Sequence, residues 1–263
     1  MSIEKKYIFW LLCCIQKLDS ILLKKLFFVF GRIDNMYNIS QNLGLFKEML
    51  YKNNLFFSND IFKNFLNSKL KIQSNLLYSN IVSKGIDVVK IKISDRYIYT
   101  LGYGNKNILN NKSKKIYFYN SKTLSQYGKN KIDFFYNHEK IKEYINVSIN
   151  NNIIYRFSNI IIKKITNINE LRSVDTSILN SNNLYLFSLD SYELMSKLCD
   201  IIFLVEAKYE ENIVKAVDSA LELGKDILVV PGDVWNKNNY FSNYLIKEGA
   251  QVILGIDDLN FYL

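Results

Sequence analysis

The sequence predicts an α/β protein, a parallel sheet with helices on both faces, preceded by a small N-terminal helical module. Three observations carry that reading. The runs Asp200 to Val205 and Ile227 to Val230 are almost wholly apolar, as strands covered on both faces must be. Between them Ile213, Ala216, Val217, Ala220 and Leu221 recur at helical spacing before Gly224, and a second helix ending at Gly249 leads to a third strand, Gln251 to Leu254. The first 84 residues, by contrast, read as helices throughout.

In chain order, Ile8, Leu11, Leu12 and Ile15 share one helical face, Asp19 or Ser20 caps a helix from Ile21 to Phe30, and Gly31 suits its C-terminal position. Helical pieces follow around Leu45 to Leu50, after the cap cluster Ser58-Asn59-Asp60, and through Ser68 to Ser83. From Ile86 the pattern changes: Val88, Val89, Ile91 and Ile93 partly alternate with Lys90 and Lys92, as on a half-exposed strand. This puts a domain boundary near residue 85, with a helical module over 1–85 and a sheet domain over 86–263. Lys114 to Asn120 reads as a strand and Leu124 to Tyr144 as a helix, while Val147 to Asn183 has no clear period and receives no assignment. The closing strand–helix–strand–helix–strand series places ligands beyond the carboxyl ends of its strands.

Composition narrows the function. With 10 Gly and 1 Pro in 263 residues the chain is neither collagen-like nor a string of linkers, and no run of 18 or more uncharged apolar residues exists to span a bilayer. Lys5-Lys6 and the apolar run Tyr7 to Ile15 imitate a secretion signal, but Gln16, Lys17 and Asp19 stand where a small-residue cleavage site belongs. Cys13, Cys14 and Cys199 fit neither a disulfide framework nor a zinc site, so a reducing cytoplasm is expected. His138, the single histidine, reads as a surface or packing residue, and no nucleophile elbow, Walker A loop or G-x-G-x-x-G follows a strand. Gly102-Tyr103-Gly104 reads as a turn, and Glu210-Glu211 and Asp257-Asp258 as acids favoured at helix starts. No catalytic residue, metal, cofactor or membrane partner is expected.

The formal charge of +9 comes from 30 Lys and 4 Arg, beside abundant Asn, Ile, Tyr and Phe, residues that share A/T-rich codons. Distribution therefore says more than the total. Residues 201–263 hold 5 Lys and 10 acids, whereas residues 1–200 hold 29 basic and 15 acidic groups. The densest stretch is Asn105 to Lys131, where Lys106, Lys112, Lys114, Lys115, Lys122, Lys129 and Lys131 occur with no acid between them and Tyr117, Phe118, Tyr119 and Tyr127 are interleaved. Two readings fit it: ammonium groups that neutralise phosphates beside rings that stack bases, or a solvated loop beside a core strand whose rings face inward. Two strand-end loops stand open in the same way. Asn120-Ser121-Lys122 and Pro231-Gly232, the latter with Asn243 nearby, are each either a phosphate-holding loop or an ordinary turn.

Four ordered stretches, Phe203-Leu-Val-Glu-Ala207, Ala220-Leu-Glu-Leu-Gly-Lys225, Val229-Val-Pro-Gly232 and Asn243-Tyr-Leu-Ile-Lys-Glu-Gly-Ala250, resemble the DNA-processing protein A family (DprA/Smf). The likeness is specific over Leu198 to Leu259 and thinner upstream, where Lys84 to Ile91 with Tyr97, Lys115-Ile116 through Ser121-Lys122, and Ser125 to Lys129 resemble the family's segment before its Rossmann-like domain, its first strand and its phosphate loop. A rival register sets Val82 to Asp87 and Leu101 to Gly104 on other family motifs, at the cost of too long a gap before Val205-Glu206-Ala207. The resemblance implies a Rossmann-like DprA-type domain over 86–263 that binds single-stranded DNA and helps load RecA in natural transformation, with a possible homodimer, in a family whose members are not established enzymes.

Departures from the family matter equally. Its G-S-R is Asn120-Ser121-Lys122 here, a bulkier residue and a point charge in place of a permissive glycine and a bidentate guanidinium. Ser191 to Asp200 resembles the family's R-N-R-I-I-x-G-L-S-D with both arginines gone and Glu193 where one would stand, and Asn212-Ile213-Val214 replaces a G-S-L. The implied contact set is Asn120, Ser121, Lys122, Lys129, Lys131, Lys197 and Asn243, with weakened phosphate affinity. The alternative is a degenerate Rossmann-like module that contacts RecA or itself and has no nucleic-acid affinity. A nucleotide-binding enzyme of a related group is disfavoured by the missing glycine loop.

Overall fold

The computed structural model describes residues 3–15, 17–120, 125–139, 141, 144–149 and 159–262. Two compact units result, one of residues 1–104 with 165–181, the other of residues 105–164 with 182–263, so the boundary expected near residue 85 falls inside the first unit.

The first unit opens with α1 (Ile3–Ile15), α2 (Ser20–Phe30), α3 (Ile33–Ile39), α4 (Leu43–Lys52), α5 (Asn59–Leu66) and α6 (Ser68–Ser83). Phe9, Trp10 and Leu11 of α1 have no exposed surface and Ile8, Leu12 and Cys14 are also buried, so this helix is enclosed on most sides rather than along one stripe. Its neighbours form where the sequence supplies caps. Asp19 Oδ1 accepts the Leu22 N–H at 2.8 Å, and Gly31, at φ 71°, donates its N–H to the Phe27 carbonyl at 2.7 Å. Replacing Asp19 with alanine should therefore cost about 1 kcal/mol, read as a lower urea midpoint at unchanged m. The helix α3 has no such signal, since Arg32 at its start makes no side-chain cap bond. Three antiparallel strands complete the unit. β2 (Asp87–Ile93) and the short β1 (Leu18–Asp19) flank β3 (Arg96–Gly104). Gly102-Tyr103-Gly104 is thus the end of a strand and not the expected turn, with Gly102 paired to Asp87.

In the second unit, β4 (Lys115–Asn120), α7 (Gln126–Tyr136), β5 (Ile145–Ile149), β6 (Ile160–Lys164), β7 (Leu184–Ser188), α8 (Ser191–Leu198), β8 (Ile201–Glu206), α9 (Glu211–Glu222), β9 (Asp226–Val229), α10 (Tyr240–Lys247) and β10 (Gln251–Val252) follow one another. These strands are parallel, in the order β7–β6–β5–β4–β8–β9–β10, which is the expected α/β architecture. The helix expected over Leu124 to Tyr144 is shorter, ending at Tyr136, and half-buried His138 lies just beyond it.

Side chains alternate across this sheet with period two. Ile116, Phe118, Ile201, Phe203, Val205, Leu228 and Val230 share one core with Ile132 and Phe135 of α7 and with Leu259. Tyr117 and Tyr119 point the other way, where Tyr192 of α8 lies close enough to act on both phenols. Ile213, Ala216, Val217 and Ala220 form the buried stripe of α9, whereas Leu221, expected on it, is 53% exposed in the last turn. Among the described residues no helix is long and apolar enough to cross a membrane.

Candidate nucleic-acid interface

From β4 the chain runs outward through β5, β6 and β7, then returns to β8 on the other side of β4. The carboxyl ends of β4 and β8 are therefore the point where the winding reverses, and connections leaving them in opposite directions open a crevice there. Register between the two strands slips between Tyr119 and Asn120, which sets Asn120 opposite Glu206.

Glu206 has no exposed surface. Its Oε2 accepts the Ser125 backbone N–H at 2.8 Å, its Oε1 accepts the Ser125 hydroxyl at 2.7 Å, and the Asn236 amide reaches the same oxygen at 3.4 Å. Ser125 in turn caps α7, its Oγ accepting the Gly128 N–H at 3.1 Å. One buried carboxylate thus ties the start of α7 to the loop after β9, its desolvation offset by these donors. A carboxylate on the crevice floor also repels phosphate, by about 1 kcal/mol at 4 Å in water and more where water is excluded. The floor is a structural anchor, and an anion is favoured only along the rims.

The rim after β9 is braced throughout. Gly232 donates its N–H to Asn243 Oδ1 at 3.2 Å and accepts from Asn243 Nδ2 at 3.1 Å, so this amide, expected to meet nucleic acid, is committed to the loop. Ala207 donates its N–H to the Ser242 hydroxyl at 2.9 Å and accepts the Phe241 N–H at 3.0 Å, which latches the loop after β8 to α10.

On the opposite rim, α7 carries Tyr127, Lys129 and Lys131 in its first two turns. Tyr127 is 42% exposed, its hydroxyl donates to the Pro231 carbonyl at 3.0 Å, and Lys131 Nζ lies 5.6 Å from its ring centroid. Burial and the charge of Glu206 push its phenol pKa up, which keeps it a donor at neutral pH. Lys129 is exposed. The other interleaved rings do not join it: Tyr117, Phe118 and Tyr119 are core, which is the inward-facing reading of that strand.

The lysine-rich stretch is divided as well. Lys112, Lys114 and Lys115 sit at the amino end of β4, about 20 Å from its carboxyl end at the usual strand rise. Asn120 closes β4, while Ser121 and Lys122 lie outside the described residues. Lys197 is in the last turn of α8, a helix that runs back from the carboxyl edge, and it pairs with Glu193 at 2.7 Å. Of the residues expected to act together, the structure gathers Asn120, Lys129, Lys131 and Asn243 near one edge and puts Lys197 towards the other.

Rings that the sequence reading passed over stand on the same edge. Trp235, in the loop after β9, is 87% exposed, and Tyr209, after β8, is half-exposed against Phe241 at 5.1 Å and Tyr244 at 5.5 Å. A signal for Trp235 did exist: it follows Pro231-Gly232 with only Val234 as an apolar neighbour, so no periodic face claims it.

The model of a family described as DNA recombination-mediator protein A matches residues 191–262 of the chain. No curated protein matches it at a significant level. Among solved structures, DNA processing protein A from Streptococcus pneumoniae aligns over 98% of this chain and 98% of its own, with a TM-score of 0.58 and 16% identity, which establishes a shared fold. DNA processing protein A from Helicobacter pylori, described for its single-stranded DNA binding mode, aligns over 61% of this chain and 84% of its own, with a TM-score of 0.49 and 15% identity.

Proposed function

We propose that this chain, whose residues 191–262 match the model of the DNA recombination-mediator protein A family, is a diverged DNA-processing protein that binds single-stranded DNA along the carboxyl edge of its parallel sheet. One observation carries the reading: Tyr127 and Lys131 form a ring-and-ammonium pair on α7, with Lys129 exposed beside it, braced against the next loop through Pro231. Ammonium groups beside an open ring suit a flexible polyanion with unstacked bases. Asn120, Ser121 and Lys122 extend this surface on sequence grounds, whereas Asn243 and Lys197 serve the scaffold. The role is that of a mediator rather than an enzyme. Hand-over of the strand to RecA in transformation, and pairing of two copies, follow from the family resemblance alone.

The buried Glu206 and the acidic excess of residues 201–263 favour a second reading, a protein-interaction module without nucleic-acid affinity. A salt titration with a labelled thymidine oligomer separates the two. Binding should weaken linearly in log salt, and the Lys129→Ala, Lys131→Ala double variant should bind less tightly with a slope smaller by about 1.4, roughly 0.7 for each phosphate that is no longer neutralised. An unchanged slope removes both lysines from the DNA-binding surface. No binding at low salt leaves the interaction module.

A further inference from the structure

We infer that Trp235 is a base-stacking platform, a subsite of that edge which takes the face of an unpaired nucleobase. This rests on the single-strand reading above. Of the two tryptophans, Trp10 has no exposed surface and Trp235 is 87% exposed. An indole left in water forgoes the largest burial gain that a side chain offers, and on a slack loop it would fold back onto the surface. This loop is stiff. Asp233 Oδ1 accepts the Trp235 N–H at 2.9 Å, the Asp233 carbonyl accepts the Asn236 N–H at 3.2 Å, and the Asn236 carbonyl accepts the Asn239 N–H at 2.8 Å. With Gly232 held by Asn243 and the Asn236 side chain reaching buried Glu206, the perch is fixed at both ends. A ring held outward on a braced loop loses little freedom when something stacks on it.

The chemistry beside the ring selects the occupant. A protein hot spot sits in an apolar core sealed by a polar rim, but here Val234, 65% exposed, is the only apolar side chain next to Trp235 along the loop. Lys237 follows two residues on, an exposed ammonium that suits a phosphate. The site also continues the rim already described. Tyr127 touches Pro231, and four residues of chain separate Pro231 from Trp235 by at most about 14 Å. A strand lying on Lys131 and Tyr127 crosses that gap in a few nucleotides. Bases within a duplex have no free face to offer, so the platform favours single strands.

Trp235 fluorescence reads this directly, because Trp10 is sealed in the first unit. A thymidine oligomer should quench the emission, and an abasic oligomer of equal length, with the same phosphates, should bind without quenching. Trp235→Ala should weaken thymidine binding about tenfold, leave the abasic oligomer's affinity and the salt slope unchanged, and keep the wild-type melting temperature. Trp235→Phe should recover most of the loss. If wild type binds both oligomers without quenching and Trp235→Ala matches it, the platform is overturned while the DNA-binding reading stands. If wild type binds neither oligomer, both fall. Quenching that rises with protein concentration in the absence of DNA assigns the ring to a second copy and also overturns the platform.

Discussion

Glu206→Ala is expected to lower the unfolding free energy by about 3 kcal/mol, seen as a reduced urea midpoint with unchanged m. The carboxylate is fully buried and accepts the backbone N–H and hydroxyl of Ser125 as well as the Asn236 amide. Truncation strands those donors where water is scarce, and each unsatisfied buried donor costs about 1–3 kcal/mol. Removing a buried anion also relieves its desolvation, which offsets part of the loss. Glu206→Gln separates the two contributions: it keeps the size and one acceptor, but turns an N–H group towards a neighbouring donor, and should cost about half as much. DNA binding should move the other way. Without a negative charge on the crevice floor, Glu206→Gln should bind a thymidine oligomer more tightly at low salt, by the same Coulomb sign that disfavours phosphate there. A loss below about 1 kcal/mol in Glu206→Ala would show that the carboxylate is not what anchors α7.

The elements legible in the sequence are those whose local chemistry and burial agree. Asp19, Ser58 and Gly31 mark helix ends with groups that pair locally, and the structure uses all three as caps. Isoleucine-rich β8 reads as a buried strand because parallel strands between two helical layers need no polar face. The middle of the chain is opaque for the opposite reason. Buried Asn146 and Ser148 alternate with Ile145, Val147 and Ile149 in β5, so a strand covered on both faces lacks the continuous apolar run that marks β8, and the loop glycines that punctuate many α/β chains are scarce. At the candidate site, charge can be read but direction cannot. Lys112 and Lys129 belong to one lysine-rich run in the sequence, yet a strand of six residues carries the first to one end of the sheet and leaves the second at the other. Tyr117 and Tyr127 look equivalent until the pleat sends one into the core. Glu206 lies within a recognisable stretch, but its partner Ser125 is 81 residues away, a pairing that only the folded sheet creates.

Gly232→Ala is expected to cost about 3 kcal/mol or more, although this glycine does not occupy the left-handed region and an alanine there meets no backbone penalty. The cost is steric. A Cβ at this position would lie 2.2 Å from Asn239 Cγ and 2.3 Å from its Nδ2, well inside contact distance. Neither side can yield cheaply. Asn239 is 1% exposed and its amide donates to the Asp233 carbonyl at 3.4 Å, while Gly232 is gripped from the other side by Asn243. A double-mutant cycle tests this cause. Asn239→Ala alone should cost about 1–2 kcal/mol for the missing hydrogen bond, and the double variant should cost scarcely more than that, a coupling of at least about 2 kcal/mol. Additive losses would instead place the strain in the Gly232 backbone. Because the clash sits at the base of the loop that lifts Trp235, Gly232→Ala should also abolish quenching by a thymidine oligomer while the salt slope set by Lys129 and Lys131 persists, and the Asn239→Ala partner should restore it.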